Sequence, residues 1–251
     1  MSILGVCHEL LDAYRSGDLG DTTMPEDAAP EFGHDQAEER LVFFTLPMAL
    51  NYQRDSYVLW RAARETWEDE AAKSVFDLRA VCSIAPEDLR EKLTKHKLAL
   101  QPNKHIATWQ TLAQTIEGNW GSLSGMLESA DRDYLKLKEI IQGSHKRQFP
   151  YLSGPKIFNY WSFIILTYGG AKLSHREDIE IAPDTHVTKC SVLLGVITPK
   201  EAETLSREQI SRRWWEALVG TGICPIDMHP PLWFWSRNGF KYWPSDLGGQ
   251  R

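Results

Sequence analysis

The sequence predicts an all-α fold, and three observations carry that prediction. Apolar residues recur at helical spacing along most of the chain, as in Ile106, Trp109, Leu112, Ala113 and Ile116. Alternation of Val and Ile at period two, the mark of half-buried strands, is hardly seen. Helix starts and stops punctuate the chain. Pro86 precedes Glu87 and Asp88, and Asp131 can cap a helix that runs to Gln142 and stops at Gly143.

Taken in order, residues 3–14 form an amphipathic helix with Ile3, Val6, Leu10, Leu11 and Tyr14 on one side. Residues 18–35 are acid-rich and interrupted by Pro and Gly, which reads as a loop or linker. Residues 41–52 are strongly apolar, and 55–68 keep Val58, Leu59, Ala62 and Ala63 together. Helices follow over 86–93, 104–116, 157–168, 185–194, 199–205 and 207–219, the last ended by Gly220-Thr221-Gly222. The tail, 223–243, is rich in Trp, Pro and other aromatics and is expected to pack back onto the first helix.

A chain of 251 residues can bury a real core, as one large domain or two small interleaved ones. With 42% hydrophobic and 25% charged residues it is ordinary globular material. The net charge of −6 argues against bulk attraction to nucleic acid. A local basic face stays open, because 18–39 holds many of the acids whereas 92–104 (Lys92, Lys95, His96, Lys97, Lys104) and 136–147 are basic. Cys7, Cys82, Cys190 and Cys224 form no CxxC pair and read as ordinary intracellular thiols. Residues 2–14 lack the apolar run of a secretory leader, and nothing approaches the roughly 20 apolar residues of a membrane span. The expected location is cytoplasmic and nucleoid-associated, with no membrane contact.

The stretch 149–190 organises the chemistry. Ser153-Gly154-Pro155 reads as a tight turn, with Gly154 free to take positive φ and Pro155 preset for the first helical position. Lys156 then falls in the first turn, where amide N–H groups point outward and the helix dipole is positive. Such an end can hold a phosphate, and its field, with some desolvation, disfavours an ammonium. Asp184 follows Pro183 and opens the next helix. An amine nucleophile and a carboxylate thus stand at two helix starts. The plain alternatives are a solvated lysine beside a turn and an aspartate that only caps a helix. His186 and Cys190 lie four apart on one helix face, but without a third ligand nearby no metal is expected.

The run Leu152-Ser153-Gly154-Pro155-Lys156-Ile157-Phe158-Asn159, followed by Ile181-Ala182-Pro183-Asp184-Thr185-His186-Val187, resembles the helix-hairpin-helix DNA glycosylase superfamily. In its endonuclease III branch the second hairpin helix begins with Lys, two residues, then Asn. Leu50-Asn51-Tyr52-Gln53-Arg54-Asp55 is similar to the helix end where that family places a Gln near the space vacated by the damaged base. The likeness in element order covers residues 36–240. Two departures stand out. Leu152 occupies the place of the first of the family's two hairpin glycines, and Asp184 follows Lys156 by 28 positions, more than in endonuclease III. The longer segment, with the tail Pro225 to Trp233, looks more like archaeal-type 8-oxoguanine glycosylases. The four-cysteine iron–sulfur loop is absent, so no cofactor is expected.

The resemblance implies two interleaved helical subdomains, 37–168 with the hairpin and 1–36 plus 169–251 with the Asp loop, and an active-site cleft between them. It implies a monomer acting on double-stranded DNA that contains a damaged base, which is flipped into a pocket. Lys156 would attack the sugar and form a Schiff base, and Asp184 would support the developing positive charge. Ser153 and Gly154 would grip a phosphate, and Tyr52 and Gln53 would contact bases near the vacated site. Asp227, His229 and Trp233, with Trp235, would line the base pocket. Three alternatives stay open: a monofunctional glycosylase in which Asp184 activates water, a lesion other than oxidised guanine, and a noncatalytic hairpin DNA-binding module.

Overall fold

The computed structural model describes residues 3–51 and 53–247, which contain thirteen α-helices and no strand. They are α1 (Ile3–Ser16), α2 (Ala37–Ala49), α3 (Ser56–Glu68), α4 (Leu78–Ser83), α5 (Pro86–Lys95), α6 (Pro102–Trp120) and α7 (Leu123–Ser129). There follow α8 (Tyr134–Lys138), α9 (Pro155–Thr167), α10 (Thr185–Leu193), α11 (Pro199–Thr204), α12 (Arg207–Leu218) and α13 (His229–Arg237).

The chain divides into two compact units: one runs from Pro25 to His175, and the other joins the residues before Pro25 to those from Arg176 onward. These divisions lie outside the expected 36/37 and 168/169, because the flanks are pinned to the central unit. Tyr160 donates to Glu26 Oε1 at 3.0 Å, and the Phe32 ring meets Trp67 at 5.2 Å. At the other end Ala171 N donates to Ile165 O at 3.0 Å, and His175 Nδ1 lies 3.0 Å from Asp133 Oδ2. The expected linker 18–35 is therefore partly structured, with a 3-10 turn at Pro25–Ala28 and Leu19, Met24, Pro25 and Glu26 buried.

In the central unit every residue from Leu41 to Ala49 of α2 is buried. A helix apolar on all sides needs cover on all sides. Phe43 and Phe44 pack among Phe32, Trp60, Trp67 and Phe76, and α9 lies along α2. Thr45 Oγ1 donates to Leu41 O at 2.7 Å and accepts from Trp161 Nε1 at 3.0 Å, which registers α9 on α2. The Glu38 carboxylate accepts from Leu123 N at 2.7 Å and Ser124 N at 2.9 Å, capping α7 from a distance.

In the other unit the tail packs on α1, as expected: Tyr14 stacks on Phe234 with ring centroids 5.9 Å apart. Cys190 donates its thiol proton to Leu232 O at 3.1 Å, joining α10 to α13. On α12, Trp214 is wholly buried and Trp215 half-buried under the Arg212 guanidinium.

Local rules misplaced two elements. Asp133, not Asp131, caps α8, accepting from Leu135 N at 2.8 Å, while Asp131 sits at φ 51° in the preceding turn. The helix also continues beyond Gln142 as a π turn over Glu139–Ser144. The α13 helix was hidden by Pro230 and Pro231, whose missing N–H groups cost nothing in a first turn.

Glu26 is wholly buried, and burial pushes its carboxyl from the ordinary 4.5 to about 7. A raised folded-state value means stability present below pH 4.5 and lost as pH rises through about 7. Urea unfolding across that window should show wild type losing on the order of 3 kcal/mol from this group. Glu26→Gln should flatten the profile, and an unchanged slope would refute the assignment.

Candidate active site

The first candidate helix start rests on α8 and α9. Tyr134 and Asn159 are both buried, and the Tyr134 hydroxyl donates to Asn159 Oδ1 at 2.8 Å. The Tyr134 ring also stacks on Phe158, 5.5 Å between centroids. Asn159, which the sequence comparison marked as a motif residue, therefore ties the two helices together. Between them a 3-10 turn, Lys146–Gln148, is exposed, and Phe149 and Leu152 are wholly buried on either side of the loop that follows. Gln142 Nε2 donates to Ser153 O at 3.1 Å and closes the loop.

The positive φ assigned to Gly154 falls instead on Tyr151 (φ 60°), and Gly154 has φ −65°. Gly154 still suits its place for another reason: its N–H donates to Tyr151 O at 2.9 Å, and a Cβ would lie 3.1 Å from that oxygen. Pro155 takes the first helical position and Lys156 the second. As N-cap, Gly154 brings no side chain to the first-turn amides. Lys156 is exposed, so the desolvation expected to act on its amine is not supplied at this position. The field of the helix end remains.

The second helix start is held more tightly. Asp184 caps α10, accepting at Oδ1 from Val187 N at 2.8 Å, and its carbonyl accepts from Thr188 Oγ1 at 2.6 Å and Arg207 Nη1 at 3.3 Å. Ile181, Ala182 and Pro183 behind it are buried, and Ser211 Oγ donates to Ile181 O at 2.6 Å. The carboxylate is half-buried and fixed at both ends of its residue. Two positions on, His186 Nδ1 lies 3.0 Å from Ser236 Oγ, and its ring meets Trp233 edge-on at 5.8 Å. Burial lowers the His186 pKa against the opposing pull of Asp184, so the ring is neutral at pH 7. The Arg237 guanidinium lies 4.9 Å from the centroid of the Trp233 ring.

The pocket candidates separate. Trp233 joins His186 and Arg237, a row the sequence did not anticipate because His186 lies about 50 positions before the other two. Asp227 is engaged by Arg176 through both guanidinium nitrogens, one contact at 2.9 Å, with Cys224 Sγ 3.4 Å from the same Nη1. His229 is buried at the first position of α13, and Trp235 is core, donating to Tyr242 O at 2.7 Å. Cys190 is buried, and burial raises its thiol pKa. Among the described residues no group of three His, Cys, Asp or Glu side chains is placed to hold a metal ion.

Gln53 is exposed at φ 49° in the turn between α2 and α3, and Tyr52 lies outside the described residues. Part of the basic run faces its own unit. Lys95 Nζ is 2.6 Å and His96 Nε2 2.7 Å from Asp69 Oδ2, and Lys92 donates to Ala71 O. Lys104 Nζ lies 5.8 Å from the Tyr151 ring.

Compared with protein-family models and with curated proteins, the chain matches none.

Two substitutions test the mechanics of these helix starts. Tyr134→Phe should cost about 1–3 kcal/mol by orphaning the buried Asn159 oxygen, measured by urea denaturation. Asp184→Ala should cost about 1 kcal/mol, whereas Asp184→Asn, which also caps, should be nearly neutral.

Proposed function

We propose that this chain is a DNA base-excision glycosylase with lyase activity at the resulting abasic site, removing an oxidised base, 8-oxoguanine. The observation that carries the reading is the start of α9: Lys156 is exposed in the first turn of a helix whose cap residue is a glycine. Exposed Lys146 and Arg147 stand in the loop that leads to it.

In this reading Ser153 and Gly154 seat a phosphate of the lesion strand with their amides, which gives position rather than sequence recognition. The Lys156 amine attacks C1′ of the flipped nucleotide, and the C1′–N bond breaks with its electron pair going to the base, which takes up a proton. Ring opening yields a Schiff base between Nζ and C1′. Loss of a C2′ proton then expels the 3′ phosphate, and water releases the lysine. Asp184 supports the positive charge on the sugar as the base departs, and its two-sided anchoring suits a group whose charge must stay fixed during the step. His186, two positions from Asp184, meets Trp233 edge-on, and aromatic rings are of the kind that stack on a flipped purine.

A second reading, a noncatalytic DNA-binding module, is favoured by Leu152, whose buried side chain replaces a glycine of the family hairpin.

One experiment separates them. Wild type, Lys156→Gln and Asp184→Asn are incubated with an 8-oxoguanine duplex in the presence of borohydride, which reduces a Schiff base to a permanent cross-link. Wild type should cross-link and the Lys156→Gln variant should not. Asp184→Asn should remain folded, bind the duplex and release base at least roughly a hundredfold more slowly. Base release without cross-linking would make the enzyme monofunctional. No release from a panel of oxidised, deaminated and alkylated bases would leave the binding module.

A further inference from the structure

Beside the hairpin loop lies a group of polar atoms that neither the packing nor the proposed chemistry uses. Arg54, in the turn before α3, donates from Nη1 to Leu98 O at 2.8 Å. Its Nε and Nη2 are buried and have no hydrogen-bond partner among the described residues. Those two nitrogens form one edge of the guanidinium, two parallel N–H groups at the spacing of an oxyanion's oxygens. Asp55, the adjacent acid, is occupied as the α3 cap, accepting from Val58 N at 3.0 Å.

His105 is wholly buried, and its Nδ1 accepts from Leu100 N at 3.2 Å. With Nδ1 accepting, the proton of the neutral ring sits on Nε2, a donor that again has no partner among the described residues. Burial, with the charges of Arg54 and Lys104, lowers the pKa of His105 and keeps the ring neutral. Its ring meets Tyr151 of the hairpin loop edge-on at 6.3 Å. His105 also belongs to the first turns of α6, a 19-residue helix whose N-cap Gln101 makes no side-chain cap. An open groove of about 370 Å³ runs along the first turns of α6, with Asn103, Lys104, Arg147 and Pro150 in its wall. Arg54 and His105 present unsatisfied donors and Lys104 adds positive charge, so the missing component is an acceptor with negative charge.

We propose that Arg54, His105 and the amino end of α6 form a binding site for one phosphate group, with Lys104 at its rim. The phosphate is either free or part of a nucleic-acid backbone. Only the second source rests on the proposed function.

The test is calorimetric titration of the protein with inorganic phosphate at constant ionic strength, repeated for Arg54→Met and His105→Phe. Wild type should bind one phosphate saturably, and each variant should bind it roughly tenfold more weakly or worse. Arg54→Lys, which keeps the charge and loses the fork, serves if Arg54→Met does not fold. No saturable binding by folded wild type, or equal binding by the folded variants, would overturn the proposal. A second arm measures binding to an undamaged duplex over a range of salt. If the phosphate comes from the backbone, Arg54→Met weakens duplex binding and lowers the salt slope by about one. A free phosphate as ligand leaves duplex binding unchanged. Neither arm requires base release, so the site and the glycosylase reading can fail separately.

Discussion

The central unit depends on the burial of α2. From Leu41 to Ala49 no face of this helix is available to solvent, so its neighbours are determined by the need to cover it. Each large apolar side chain removed from water contributes roughly 1.5–3 kcal/mol, against roughly 0.5–1.5 kcal/mol net for a typical hydrogen bond. The polar contacts decide orientation instead. The hydroxyl of Thr45 fixes where Trp161 sits, and the carboxylate of Glu38 accepts from the amides that open α7.

That arrangement reaches the loop 149–154 through α9. The face of α9 carrying Phe158, Trp161 and Ile165 is buried, which holds the axis of the helix and leaves its first turn at the surface. Tyr134 and Asn159 then fix α8 against it, and Phe149 and Leu152 hold the loop down from both ends. The turn takes its left-handed residue at Tyr151 and turns Leu152 inward.

Features governed by neighbours in sequence were legible. Pro86, Pro155 and Pro199 all begin helices as expected, and Asp184 caps α10. What was not legible depends on distant partners. Asp131 and Asp133 offer equal capping chemistry, but Ser174 accepts from Tyr134 and donates to Arg132 across the turn, and this selects Asp133. The burial of Glu26 and the Arg176–Asp227 pair have no local signature. Exposure was the weak point at the candidate site: helical spacing placed Lys156 in a first turn, and only the packing of α9 shows that the residue lies at the surface.

The division of the chain bears on how the protein is made. The central unit is one continuous segment, whereas the other is assembled from residues on both sides of it. A ribosome delivers the amino end first, so α1 emerges with Val6, Cys7 and Leu10 and without the helix that covers them. Its partner α13 is synthesised more than two hundred residues later. Through that interval the central unit can complete its core while the apolar stripe of α1 stays uncovered, a ready target for holding chaperones.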